Sequence, residues 1–222
     1  TGIFLVVQVP IMIVLALLFA AALNNPKLRF RGFFRTAIFL PCVTSLVAYS
    51  ILFKSMFASD GVINDLAIAL HLMDAPISWL GDPFWARTVI ILAITWRWTG
   101  YNTLIFLAAL QSIPGELYEA AEMDGASRWQ QFRNVTWPMS IPTTIVVMAY
   151  TTIQSFRAFD LIFAMTQGGP NNSSNIFAVL IYQTVFSELR IGYAATQSIF
   201  FIIVLVFVTL LQRKFLNSRY EK

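Results

Sequence analysis

Polar and charged side chains lie inside two of this chain's long apolar runs, and they are the residues with the most chemical meaning. Trp96-Arg97-Trp98 and Tyr101-Asn102-Thr103 interrupt one run; Thr151, Thr152, Gln154, Ser155, Arg157 and Asp160 interrupt another. Such groups are unfavourable in hydrocarbon, so they face a bundle interior or a water-filled path, or pair with one another. Arg157 and Asp160 stand at i and i+3 and can pair on one helix face. Arg97 has no acid near it in sequence and must snorkel, face a wet cavity or find a partner elsewhere. Trp98, Tyr101, Thr151 and Ser155 add flat aromatic faces and hydroxyls to the same two segments. Those residue types also serve plain helix packing.

Other chemistry is poorly provided for. Cys42 is the one cysteine and lies in an apolar run; it forms no intrachain disulfide and no metal site alone. His71 has only Asp65 and Asp74 near it in sequence, so no metal ligand set is expected. No GxxxxGK[ST] run is present, so any nucleotide energy must come from another chain.

The elements that must position these residues follow from composition. Of 222 residues, 58% are hydrophobic and only 12% charged, and the mean hydropathy is +0.69. Soluble domains carry about 25% charged residues, so lipid is the main solvent here. The net charge is +4. Its basic residues sit at helix ends without the density of a nucleic-acid stripe, and nucleic acid is not expected as a partner. A span needs about 20 apolar residues. Five stretches qualify: 3–23, 36–57, 85–110, 141–165 and 193–211. The expected fold is an all-α, polytopic transmembrane helical bundle, one transmembrane domain over residues 1–222.

Loop charge orients the bundle. Lys27, Arg29, Arg31 and Arg35 follow the first stretch, and Arg213, Lys214, Arg219 and Lys222 follow the last. Both segments belong on the cytoplasmic side, so the C-terminus is expected there. The loop 59–84, with Asp60, Asp65, Asp74 and Asp82, then lies outside, and Trp79 and Trp85 suit an interfacial belt. The outer loop 166–192 reads as turn-rich through GGPNNSSN. Thr1 would begin outside with no leading charge, which suggests a sixth span upstream.

The cytoplasmic segment 111–140 is short and polar. Pro114 suits a first helical turn, and Glu116, Glu119 and Glu122 lie early, where acids favour a helix N-terminus. Leu117, Tyr118, Ala120, Ala121 and Met123 form a compact apolar side. Asp124-Gly125 marks a turn. Helical spacing resumes from Ser127, with Trp129, Phe132 and Val135 on one face, and Pro138 and Pro142 mark the return to the membrane. The segment predicts a helix–turn–helix whose apolar side packs on its own spans or docks in a partner's groove.

Glu119-Ala120-Ala121, two residues, Asp124-Gly125-Ala126, then Phe132, Pro138 and Pro142 resemble the EAA loop of ABC importer permeases. Trp137 stands for the usual leucine and Val135 for the usual isoleucine. RGFFRTAIFLP, ISWLGDP and FDLIFAMTQGGP extend the resemblance over nearly the whole chain, toward the carbohydrate-uptake branch of maltose and glycerol-phosphate type, first-permease-like. The resemblance implies a type I importer permease in the bacterial cytoplasmic (inner) membrane. It implies as partners a second permease, two ABC ATPase subunits carrying ATP and Mg, and an extracytoplasmic solute-binding protein. This chain would bind no cofactor and catalyse no bond change.

On the same resemblance, Glu119 contacts the ATPase, Ala120 and Ala121 let the helix lie close in its groove, and Asp124, Gly125 and Ala126 form the bend. A sugar path wants aromatic faces with hydroxyl and amide partners, which Trp98, Tyr101, Thr151 and Ser155 offer; the alignment favours Tyr101. A same-fold permease for phosphate, amino acids or peptides is the alternative. A secondary transporter, which would call for internal repeats or an ion-coordinating acid at mid-membrane, and a structural scaffold are further ones.

Overall fold

The computed structural model describes residues 2–25 and 28–220, with side chains as far as Lys214; Lys27, Lys222 and the side chain of Arg219 lie outside the described residues. Regular structure among these residues is helical throughout. The order is α1 (Val9–Asn24), α2 (Arg31–Val43), α3 (Leu46–Met56), α4 (Val62–Ala69), α5 (Pro83–Gln111) and α6 (Gly115–Met123). There follow α7 (Arg128–Gln131), α8 (Trp137–Phe156), α9 (Phe159–Thr166), α10 (Phe177–Phe186) and α11 (Ile191–Tyr220).

Two π-helical turns, Phe4–Gln8 and Phe132–Thr136, lead directly into α1 and α8. Each ends two residues before a proline, Pro10 and Pro138. A proline gives no N–H to the carbonyl four residues back, and its ring crowds that carbonyl. A wider i→i+5 turn takes up the crowding without ending the helix. Arg128–Thr166 consequently runs as one 39-residue helical stretch. Pro138 and Pro142, expected to mark the return to the membrane, lie within this stretch without breaking it.

Among the described residues three helical stretches are long and apolar enough to cross a membrane: Phe4–Asn24, Arg128–Thr166 and Ile191–Lys214. They correspond to the expected first, fourth and fifth spans. The expected second span is two helices, α2 and α3, meeting at 98°. Thr44 and Ser45 are extended at the break (ψ 149° and 134°), just after Pro41 has weakened the last turn of α2. The expected third span is α5, 29 residues and about 43 Å long at the α-helical rise. Its polar middle makes it less apolar than its neighbours, and it is also the most enclosed helix, with Ala86, Val89, Ile90, Ala93, Ile94, Phe106, Leu107 and Leu110 all buried.

Two apolar clusters pack around α5. One joins Phe4 to Tyr49, Phe53, Ile90, Ile94, Leu161 and Ile162. The other joins Ile13, Ala16, Leu17, Ala20 and Leu23 of α1 to Phe106, Leu107 and Leu110 of α5 and Val147 of α8. Ala16 and Ala20, one turn apart, allow α1 close to α5. Phe4 meets one half of α5 and Leu23 the other, so the two helices run in parallel.

Two loops hold more structure than their composition suggested. Within 166–192, the apolar segment FAVLIYQTVF forms α10, where Phe177 stacks on Phe201 of α11 at 5.5 Å. Within 59–84, α4 is anchored by buried Asn64. Its amide donates to the carbonyls of Ala58, Ser59 and Ile77, and its carbonyl accepts from Ile77 N and Trp79 Nε1.

Candidate functional site

Two places on this frame gather the residues singled out by sequence. The first is the elbow formed by α6 and α7. Pro114 is the cap preceding α6 and not its first residue. Only Glu116 lies in the first turn; Glu119 and Glu122 fall beyond it, so the helix terminus does not account for them. At the other end, Ala126 N donates to Ala121 O at 2.9 Å and Gly125 N to Glu122 O at 3.0 Å. With Gly125 at φ +76°, this is the Schellman arrangement, which satisfies the last carbonyls through a left-handed residue. Nothing lies within 4 Å of a Cβ placed on Gly125, so its backbone and not its surroundings requires glycine.

Ser127 then opens α7 through a capping box. Its Oγ accepts from Gln130 N, and Gln130 Oε1 accepts from Ser127 N at 2.7 Å. Ser-x-x-Gln is the local sequence signal for this cap. Tyr118 Oη and Thr136 Oγ1 meet at 3.0 Å and hold α6 beside the long helix. Trp129 stacks on Phe132 at 5.6 Å.

The elbow's outer face is open. No residue of α6 is buried; Met123 is 89% and Trp129 67% exposed. Glu119, Ala120, Asp124 and Gly125 are exposed, and Ala121 and Ala126 half-buried. Within the described residues the Glu119 carboxylate has no hydrogen bond or ion pair. Between the elbow and the ends of α1 and α5 lies a cleft of about 730 Å³ bordered by Asn24, Leu110, Tyr118, Glu122, Arg128 and Phe132.

The second place is a cavity of about 300 Å³ within the bundle. Leu46, Arg97, Trp98, Gln154, Arg157 and Asp160 line it. The rings of Trp98 and Tyr101 stand edge to face at 6.4 Å, Tyr101 lies 5.3 Å from Tyr150, and Gln154 donates to Tyr150 Oη at 2.7 Å. Aromatic and amide groups thus converge on one side of α5 and α8. Thr151 and Ser155 do not join them. They are 0% and 2% exposed, and their hydroxyls donate to the backbone carbonyls of Met148 and Thr151.

Arg157 and Asp160 differ from expectation. Among the described residues the one ion pair within 4.0 Å is Arg190–Glu188. The helix pauses after Phe156, with Arg157 at φ −92°, ψ 8°, so the i, i+3 alignment of a continuous helix is lost. Both side chains are exposed and border the cavity instead. Arg97 has found its partners elsewhere, in backbone carbonyls of the α2–α3 break.

Residues 3–222 match the family described as binding-protein-dependent transport system inner membrane component. Among similar proteins, the lactose transport system permease protein LacF of Rhizobium radiobacter is 51% identical over 225 residues, covering 100% of this chain and 75% of that protein. The arabinooligosaccharides transport system permease protein AraP of Bacillus subtilis is 33% identical, covering 96% of this chain and 67% of that protein. The crystal structure of a bacterial ABC transporter that imports the acidic polysaccharide alginate contains a chain similar to this one. The TM-score is 0.85 and the identity 26%, over 98% of this chain and 75% of that one. A structure of a bacterial alginate transporter in complex with a pentasaccharide-bound periplasmic protein matches at TM-score 0.82 and 26% identity, over 95% and 72%. The chain belongs to the binding-protein-dependent transport system inner membrane components.

Proposed function

We propose that this chain is the membrane-spanning permease subunit of a binding-protein-dependent ABC importer for a sugar or related polyol. A second permease completes the path, two ATPase subunits hold ATP and Mg, and an extracytoplasmic solute-binding protein delivers the solute. The C-terminus and the elbow lie on the cytoplasmic side. The observation that carries the reading is the elbow: a helix with no buried residue, set at a rigid angle by a Schellman turn and a capping box, and joined to the 39-residue stretch. A rigid, uncovered helix attached to a long lever suits transmission of force from a soluble partner. The similarity to a lactose permease over the full chain supports the solute class.

In operation, Glu119 forms a charge-assisted bond to a basic residue of the ATPase. Ala120 and Ala121 permit close seating, and Asp124, Gly125 and Ala126 hold the turn. Closure of the ATPase dimer on ATP moves the elbow as a rigid body and tips the spans from inward- to outward-facing. ATP shifts this equilibrium only through its different affinity for the two states. The solute passes the cavity beside Trp98 and Tyr101. Thr151 and Ser155 support that wall from behind, through α8's own backbone. This chain changes no covalent bond.

Purification of the chain with the products of its neighbouring genes tests the assignment. An ATPase subunit co-eluting with wild type and lost with Glu119→Lys is expected, together with a binding protein whose ligand is a saccharide. Absence of any ATPase from the wild-type complex would remove the importer assignment. A binding protein selective for an amino acid or phosphate would move the chain to the non-sugar alternative.

A further inference from the structure

Arg97 is 6% exposed, and among the described residues it has no ion pair within 4.0 Å. Its Nη1 donates to the Pro41 carbonyl at 3.0 Å and to Thr44 Oγ1 at 3.2 Å. Its Nη2 donates to the carbonyls of Cys42 at 3.3 Å and Thr44 at 2.8 Å. Pro41 and Cys42 sit in the last turn of α2, where carbonyls lack intrahelical partners, and the guanidinium faces the negative end of the helix dipole. Tyr49 of α3 lies under the same charge at 5.3 Å and Trp98 at 5.6 Å.

Contacts on either side of Arg97 along α5 complete the arrangement. One turn earlier, the Ala93 carbonyl accepts from Tyr49 Oη. One turn later, Gly100 lets the α2 backbone against α5: a Cβ there would collide with the Ile38 carbonyl oxygen and stand 2.8 Å from its carbon. One face of α5 therefore grips α2, the break and α3 together. Left to itself, a two-residue extended break between helices at 98° would be a hinge.

The geometry points to Arg97 as a positioning residue that locks this break, so that α2, α3 and α5 move as one body. Leu46, which opens α3 and borders the cavity with Trp98, is held in place by the same lock. Both Nη groups are engaged by the break, while Nε is buried without a partner, so Arg97 acts on the wall through the break it holds. The consequence for transport rests on the cavity being the solute path; the lock does not.

Spin labels at Phe34 and Leu52, both exposed, on α2 and α3, in a Cys42→Ser background, report the angle in the assembled transporter. Wild type should give one narrow distance, unchanged by ATP. Arg97→Gln should at least double its width, with Arg97→Lys and Thr44→Val between. Sugar KM should rise about tenfold in Arg97→Gln and recover toward wild type in Arg97→Lys, as expected when a wall is misplaced. Should Arg97→Gln fail to assemble, Arg97→Lys and Thr44→Val carry the test alone. Distances as narrow as wild type in the variants that assemble would overturn the lock. A broadened distance with unchanged KM would leave the lock standing and remove the cavity from the solute path.

Discussion

Tyr118 and Thr136 share a hydroxyl–hydroxyl hydrogen bond of 3.0 Å across the elbow. Thr136 ends the π turn that absorbs Pro138, so this bond ties α6 to the place where the long helix is rewound ahead of that proline. Without it, α6 would be held to the lever chiefly by its turn.

The first prediction concerns that bond. Tyr118→Phe keeps the ring and removes the hydroxyl, a loss of about 1 kcal/mol. Amide exchange in 115–123 should quicken by about fivefold, the factor that energy sets for local opening. Exchange in α5 should be unaffected. Equal quickening in both would mean that the bond supports the bundle and not the elbow.

The second prediction separates the fold of the turn from its contact surface. Gly125 is left-handed with open space around it. Gly125→Ala and Gly125→Trp therefore carry a similar backbone penalty, about 1–2 kcal/mol. Only tryptophan would obstruct a docked partner. Uptake should survive largely in the alanine variant and be lost in the tryptophan variant, with Glu119→Lys resembling the latter. Normal uptake in both Gly125→Trp and Glu119→Lys, with the ATPase still bound, would refute docking at this face.

Much of this site was legible from sequence because its signals are local. Glu119 through Ala126 lie in eight consecutive residues, and a glycine after an apolar turn is a helix stop wherever it occurs. The 98° break in the second expected span was less legible. Hydropathy is continuous through residues 36–57, and the bend depends on Arg97 and Gly100, more than fifty residues away. Arg97 itself was noted as lacking a partner; backbone carbonyls leave no mark in a sequence. The apolar run of α10 was passed over because ten residues fall short of a span and the neighbouring GGPNNSSN reads as loop. Thr151 and Ser155 were grouped with Trp98 and Tyr101 by residue type. Which way a hydroxyl turns on a helix is decided by the backbone carbonyl three or four residues earlier.

The third prediction concerns the crossing of α2 and α5. In Gly100→Ala the new methyl would fall on the Ile38 backbone, and backbone cannot step aside as a flexible side chain can. Overpacking of this kind costs about 1–3 kcal/mol. Gly32→Ala supplies the control: it is also helical, with nothing within 4 Å, and should be neutral or stabilising by up to about 1 kcal/mol. Thermal unfolding in detergent should rank Gly32→Ala at or above wild type and Gly100→Ala below it. The reverse ranking would mean that the two helices do not approach as closely as described.

The fourth prediction weighs two residue types at the cavity. Trp98 borders it with an aromatic side chain; Thr151 donates its hydroxyl to Met148 and is fully enclosed. Trp98→Ala should raise the uptake KM by about tenfold, because an aromatic platform contributes on the order of 1 kcal/mol or more to a stacked partner. Thr151→Val keeps the shape and loses only a bond to its own helix. Its uptake should match wild type, with a small change in thermal stability at most. The discriminating readout is KM at constant maximal rate, since general damage to the bundle would lower both variants' maximal rates together. A KM effect from Thr151→Val equal to that from Trp98→Ala would mean that the solute does not follow the wall formed by Trp98 and Gln154, and the path beside this cavity would have to be given up.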